Sequence, residues 1–181
     1  VDVVVTNPVR DGTLTDGFTY YAPPEVDSVD PTFDDLDGGA SVTITGTGFT
    51  GATSATLRGV EITSFTVVND TTITGVAAAS ENAGFGDVQV FNPVYNGILE
   101  DGWIYYPIPA PTSISPSTGA TAGGTSVMIT GSGFWGSTSV EFDGDAATNF
   151  AVVDDEHITC DTPAHAAATV DVEVFNPATG G

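Results

Sequence analysis

The chain contains no lysine and only two arginines, Arg10 and Arg58, against 24 aspartates and glutamates, for a formal charge of −22 over 181 residues. Polyanions are bound through Lys and Arg that displace condensed counterions, so this composition argues against nucleic acid and anionic membrane surfaces as partners. Cysteine is nearly missing as well. Cys160 stands alone, which excludes an internal disulfide framework and leaves stability to packing. No apolar run approaches the roughly 20 residues of a membrane span, so this segment is not expected to insert into a bilayer. The chain opens at Val1 without a charged-then-apolar leader, and any signal or anchor is expected outside these residues. Nor is there a Gly-x-Ser-x-Gly elbow, a phosphate loop or a His-Glu-x-x-His pair, and no catalytic residue is assigned.

What is present is apolar and short-ranged. Hydrophobic residues make up 40% of the chain, too many for a disordered acidic tail. They are mostly Val, Ile and Phe interleaved with Thr, Ser and Gly, the composition of half-buried strands. Val88 and Val90 alternate with Asp87 and Gln89, and Val42 and Ile44 with Thr43 and Thr45, so each pair is expected to point inward. No stretch carries an apolar stripe at the helical period.

The strands recur. Val42-Thr43-Ile44-Thr45-Gly46-Thr47-Gly48-Phe49 returns 85 residues later as Val127-Met128-Ile129-Thr130-Gly131-Ser132-Gly133-Phe134, and Gly38-Gly39 returns as Gly123-Gly124. Val-x-Val-x-Asn-Pro occurs three times, ending at Pro8, Pro93 and Pro177, whereas the closing Gly17-Phe18-Thr19-Tyr20-Tyr21 returns only as Gly102-Trp103-Ile104-Tyr105-Tyr106. This phase predicts the last strands of one repeat at 1–23, a complete repeat at 24–108 and a repeat lacking its final strand at 109–181. Such a segment is expected to belong to a longer array. The edge strand around Val172, Val174 and Phe175 is open to completion in cis or by strand exchange with another subunit. About seven short strands per repeat suit a two-sheet sandwich. The glycines before Phe49 and Phe134 are expected to kink the strand and drop each ring into the core. Pro-rich joints at Pro23-Pro24 and Pro107–Pro111 predict a stiff, rod-like array.

The Pro-ended first strand, the Gly-Gly, the Thr-Ile-Thr-Gly-x-Gly-Phe run, the Ile158-Thr159-Cys160-Asp161-Thr162-Pro163 segment and the closing Gly-Phe-Thr-Tyr together resemble the IPT/TIG family. The resemblance covers essentially the whole chain. It implies an all-β fold of tandem immunoglobulin-like (IPT/TIG, E-set) β-sandwiches. It leaves function open among receptors, microbial surface proteins, accessory modules and DNA-binding factors, the last of which rely on basic loops that this chain does not have.

Three local features could carry chemistry. His157, Cys160, His165 and the acids Asp154, Asp155 and Glu156 are metal-ligand types, but strand parity sends Cys160 inward and His157 outward, so no shared metal is expected. Asp34, Asp35 and Asp37 are weak calcium candidates without a distal bidentate Glu, and their counterparts in the next repeat carry no acid. Trp103 replaces Phe18 and reads as core, whereas Trp135 replaces Thr50 in a Gly-flanked loop and is the candidate ligand-binding aromatic, for a glycan or a surface protein. No cofactor is assigned. The expected role is a structural segment of an extracellular or cell-surface multirepeat protein, as an adhesin stalk, filament or appendage subunit, whose partners are other repeats or subunits of the same protein. The alternatives are a glycan- or protein-binding module and a decoration domain of a virus or phage particle.

Overall fold

The computed structural model describes residues 1–178. Strands β1 (Val3–Val5) and β2 (Gly12–Leu14) form an antiparallel hairpin at the start of the chain. The next stretch holds β3 (Glu25–Asp30), β4 (Phe33–Asp35), β5 (Ser41–Thr47), β6 (Ser54–Leu57), β7 (Val60–Glu61), β8 (Thr63–Asn69), β9 (Thr72–Val76), β10 (Gly84–Phe91) and β11 (Asn96–Tyr106). It is followed by β12 (Ala110–Ser115), β13 (Ser126–Ser132), β14 (Ser139–Phe142), β15 (Asp145–Ala146), β16 (Thr148–Asp154), β17 (His157–Asp161) and β18 (Val172–Phe175).

In the first sandwich a sheet ordered β3-β5-β9-β8 faces a sheet ordered β4-β11-β10-β6-β7. The count of nine strands exceeds the expected seven because two very short ones, β4 and β7, line the edges, β4 running parallel to the end of β11. The second sandwich repeats the first sheet as β12-β13-β17-β16, but its facing sheet has only β15-β14-β18. Residues 118–120, the counterpart of β4, form no strand there: β4 is held by β11, and the second sandwich has no equivalent of β11 among the described residues.

Alternation decides which side chains enter the cores. Val42, Ile44, Ile73, Val88 and Val90 are buried at every second position, as the sequence pattern predicts, while Gln89 between the valines lies half-buried. Trp103 and Tyr105 from β11, with Phe49 and Leu57, are the largest fully buried groups of the first core. Phe134, Ile129, Val140, Ile158 and Cys160 occupy the second. Each such ring or branched chain removed from water stabilises its sandwich by about 1.5–3 kcal/mol.

The glycine expectation holds, with a second cause. Gly48 and Gly133 have φ of 70° and 72°, the left-handed region, and Phe49 and Phe134 are fully buried just beyond them. A Cβ at Gly48 would also lie 2.6 Å from the Pro23 carbonyl oxygen, and one at Gly133 2.6 Å from that of Ile108. The glycines therefore let the incoming linker press against the aromatic loop. Aspartates pin the loop from the other side. Asp70 accepts hydrogen bonds from the Thr50 hydroxyl (2.7 Å) and the Thr50 amide (3.1 Å), and the equivalent Asp155 accepts from the Trp135 amide at 3.0 Å.

Candidate functional site

The sequence-derived metal candidates resolve into turns and core. Asp34 accepts backbone hydrogen bonds from Asp35 (2.9 Å) and Ala40 (2.8 Å), and Asp35 accepts one from Asp37 (2.9 Å). Asp34 and Asp35 order their own loop, which Asp37 joins through its backbone amide. Among the described residues no group of three or more His, Cys, Asp or Glu side chains is gathered to hold a metal ion. In the second sandwich Asp154 accepts from the Glu156 amide and contacts His157 Nδ1, both at 2.8 Å, and those two bonds hold its carboxyl below the usual range. Asp161 is held low by the Ser126 hydroxyl and then by the Asn149 amide. His165 lies elsewhere, with Nε2 3.5 Å from Asp143.

Cys160 points inward as parity requires, between half-buried His157 and Asp161, and its role is packing. It replaces Gly75 of the first repeat. There a Cβ on Gly75 would run into Ile62, whereas the residue equivalent to Ile62 in the second repeat is the smaller Ala147, packed against the core that contains Cys160. Bulk has moved from one strand to its neighbour. Burial, then the charge of Asp161, pushes the thiol from 9.0 to about 11. Tyr105, donating its phenol hydrogen to the Ala78 carbonyl at 2.8 Å, is pushed from 10.0 to about 12 by burial and then by Asp34.

Both shifts act in one direction. The unfolded chain sheds these protons near 9 and 10, the folded chain near 11 and 12, so stability is full below those lower values and is lost as pH climbs through the higher ones. Denaturant midpoints followed with rising pH are expected to fall across this window. Cys160→Ala is expected to remove the part between about 9 and 11 and leave the part due to Tyr105.

Trp135 is where the structure departs most from the sequence picture. Its ring does not stand alone in a loop. It stacks on Tyr106 at a centroid distance of 5.6 Å and meets the edge of Phe85 at 6.0 Å, and both partners belong to the preceding repeat. Tyr106 also lies edge-on to Phe33 at 5.8 Å. Beneath this cluster, Gly136 has φ of 77°, and a Cβ there would come within 2.6 Å of the Tyr106 ring. The joint is thus an aromatic stack seated on a bare backbone.

A polar tie completes it. Asn176, almost fully buried, donates its side-chain amide to the Pro107 carbonyl at 2.6 Å and accepts the Ala178 amide at 3.0 Å. The preceding joint is built alike: Asn92 donates to the Ala22 carbonyl at 2.8 Å and accepts from Val94 and Tyr95, and the Tyr21 ring sits against Gly51. Each Asn fixes the linker that enters its own sandwich. Asn7 makes the same turn, accepting from Val9 (2.8 Å) and Arg10 (3.0 Å).

The prolines mark where these joints lie, while the side chains that build them went unassigned in the sequence, although the signals were there. The thrice-repeated Asn-Pro marks the tie, and in the Tyr105-Tyr106 doublet period-two alternation sends one ring inward and its neighbour outward. Tyr105 is fully buried and Tyr106 is not.

The profile of the IPT/TIG domain family matches residues 24–102 and 109–181. This chain belongs to that family. Fibrocystin-L of Mus musculus is 40% identical over 67 residues, 36% of this chain and 2% of that protein, and Fibrocystin-L of Homo sapiens is 38% identical over 68 residues, 37% and 2%. The IPT/TIG pair therefore spans about 2% of the length of these curated relatives. Among solved structures, it is similar to the plexin A4 extracellular region (TM-score 0.41, 23% identity, 84% of this chain and 17% of that one). It is also similar to SGBP-B from a complex xyloglucan utilization locus in Bacteroides uniformis (TM-score 0.40, 18% identity, 87% and 47%).

Proposed function

We propose that this IPT/TIG chain is a spacer: a structural repeat segment of an extracellular, multirepeat surface protein such as an adhesin stalk, filament or appendage. The observation that carries this reading is the joint, which is made twice with the same parts. A buried Asn holds the linker carbonyl, and an outward Tyr rests on a positive-φ Gly. Such a joint suits a segment that sets distance and direction, with neighbouring repeats as its partners. The charge of −22 keeps an elongated surface protein hydrated.

The rim of the same joint favours a second reading. Trp135 keeps 38% of its surface exposed and Phe85 56%, an aromatic ledge on which a sugar ring or a partner's apolar side chain could rest. One pair of variants separates the two. For a spacer, a Trp135→Ala and Tyr106→Ala double-mutant cycle gives a coupling of about 0.5–1.5 kcal/mol in unfolding, and small-angle scattering shows increased bending between the sandwiches. Zero coupling with unchanged scattering overturns the spacer reading. Glycan-array binding that disappears in Trp135→Ala would establish the ledge instead.

A further inference from the structure

Arg58 is the only arginine or lysine in either sandwich, and it directs its donors to carbonyl oxygens. The guanidinium Nε donates to the Phe85 carbonyl at 3.1 Å and Nη1 to the Asn82 carbonyl at 3.2 Å, while the Arg58 amide donates to the Asp87 carbonyl at 2.8 Å. One residue thus holds three carbonyls of the segment 82–87. Among the described residues the ion pairs are those of His157 with Asp154 and His165 with Asp143, so a chain with 24 carboxylates uses this guanidinium to brace a loop. The stem is fitted as closely as the head. Arg58 stands in the turn between β6 and β7 with φ of 51°, and its Cβ and Cγ fill the place that a Cβ on Gly86 would take.

The second sandwich shows that the fold does not require this arrangement. There the turn residue is Asp143, whose amide still donates to the Asp171 carbonyl at 3.1 Å, and the residue equivalent to Gly86 is Val170, packed against the core. Thr169 stands where Phe85 does. A short side chain in the turn goes with a full-sized residue on the strand, and a long one with glycine. Both sandwiches form, so Arg58, Phe85 and Gly86 answer to something outside the fold of the first. Phe85 supplies the direction: it is 56% exposed, and its ring meets Trp135 of the second sandwich edge-on at 6.0 Å. The first sandwich has Thr50 in place of Trp135, so Arg58, Phe85 and Trp135 occur once in the chain and at the same joint.

We propose that Arg58 is the positioning residue of the joint between the two sandwiches: by clasping the Asn82 and Phe85 carbonyls it holds Phe85 against Trp135 and stiffens that joint. Phe85 lies between Gly84 and Gly86, so neither neighbouring side chain limits the swing of the segment, and Arg58 supplies the restraint that they do not. Its bonds are charge-assisted, and their acceptors are neutral, so salt has little to screen. Joints of two grades follow: those with the trio and those, like the one at Tyr21 and Gly51, without it. The inference rests on the spacer reading and adds to it a residue that acts through Phe85.

The experiment uses the 181-residue chain with Arg58→Met, which keeps the stem beside Gly86 and removes the fork, together with Arg58→Lys, Phe85→Ala and Trp135→Ala. Nuclear Overhauser contacts between the Phe85 and Trp135 rings and small-angle scattering are read for each. Arg58→Met is expected to lose the ring contacts and to increase bending as much as Phe85→Ala does, and Arg58→Lys, with one donor group left, to restore part of the contact. Added to Trp135→Ala, Arg58→Met is expected to cause no further bending, and the unfolding constants of the pair to depart from additivity by about twofold to tenfold at low and high salt alike. Ring contacts and scattering that survive Arg58→Met overturn the proposal, as do full additivity with Trp135→Ala and a coupling that vanishes in salt. Phe85→Ala removes no bond of Arg58 and changes a surface ring, so it keeps the test decisive if Arg58→Met does not fold: unchanged bending there overturns the proposal equally. Coupling of Trp135 to Tyr106 with none to Arg58 would leave the spacer reading standing and remove Arg58 from it.

Discussion

Trp103→Ala is expected to destabilise the first sandwich by about 3–5 kcal/mol, the largest effect of any single truncation in the chain. Trp103 is fully buried, packs edge-on against Tyr105 at 5.7 Å, and sits on the strand that pairs with β10 along one side and holds β4 on the other. Truncation removes an indole from a core that has no comparable group to move into the space. The chain has one other tryptophan, Trp135, whose ring packs on Tyr106 and Phe85 of the first sandwich, so its fluorescence reports on the joint between the two sandwiches. Urea unfolding is expected to split, with part of the backbone circular dichroism signal moving to lower denaturant together with Trp135 emission, and the remainder, from the second sandwich, shifting less. A loss below about 1 kcal/mol would mean that the core collapses around the gap and that Trp103 does not organise it.

Asn92→Ala is the second large effect, at about 2–4 kcal/mol. The side chain is 7% exposed and serves the Ala22 carbonyl and the Val94 and Tyr95 amides at 2.8, 3.0 and 2.8 Å, so alanine strands three backbone groups at once. Asn92→Asp separates the two functions. A carboxylate still accepts from the turn amides but has no hydrogen to donate to the Ala22 carbonyl, so stability is expected to fall by less than with alanine while the linker loosens. Denaturant midpoints measure the first consequence, and relaxation of the Ala22 and Pro23 signals in nuclear magnetic resonance measures the second. Equal losses in the two variants would show that the turn matters and the linker bond does not.

The fold was legible because its determinants are local and repeated. Alternation in Val42-Thr43-Ile44 or Val88-Gln89-Val90 fixes a strand and its buried face together, and a second copy 85 residues away removes ambiguity about register. The joint was not legible, because its energy lies in pairs that alignment of repeats does not place side by side. Trp135 aligned with Thr50 appears as an exposed novelty, and only its position against Tyr106 and Phe85 shows it to be part of an inter-repeat contact. The acids misled for a related reason. Sequence shows Asp34, Asp35 and Asp37 as weak calcium candidates, while the structure has Asp34 and Asp35 accepting backbone amides of their own turn, that of Asp37 among them, a use that needs no ligand and no fixed spacing.

The exchange of bulk between Ile62 with Gly75 and Ala147 with Cys160 bears on how adjacent repeats fold without confusion. Tandem domains of near-identical pattern risk intermingling, each donating a strand to the other's half-formed core. Here a wrong pairing would set Cys160 against Ile62, overfilling one interior, and Gly75 against Ala147, leaving a hollow in the other. Overfilling of this kind costs about 1–3 kcal/mol, and a hollow adds its own penalty. Two neighbours with the same outline thus carry different locks, and each interior recognises its own strands.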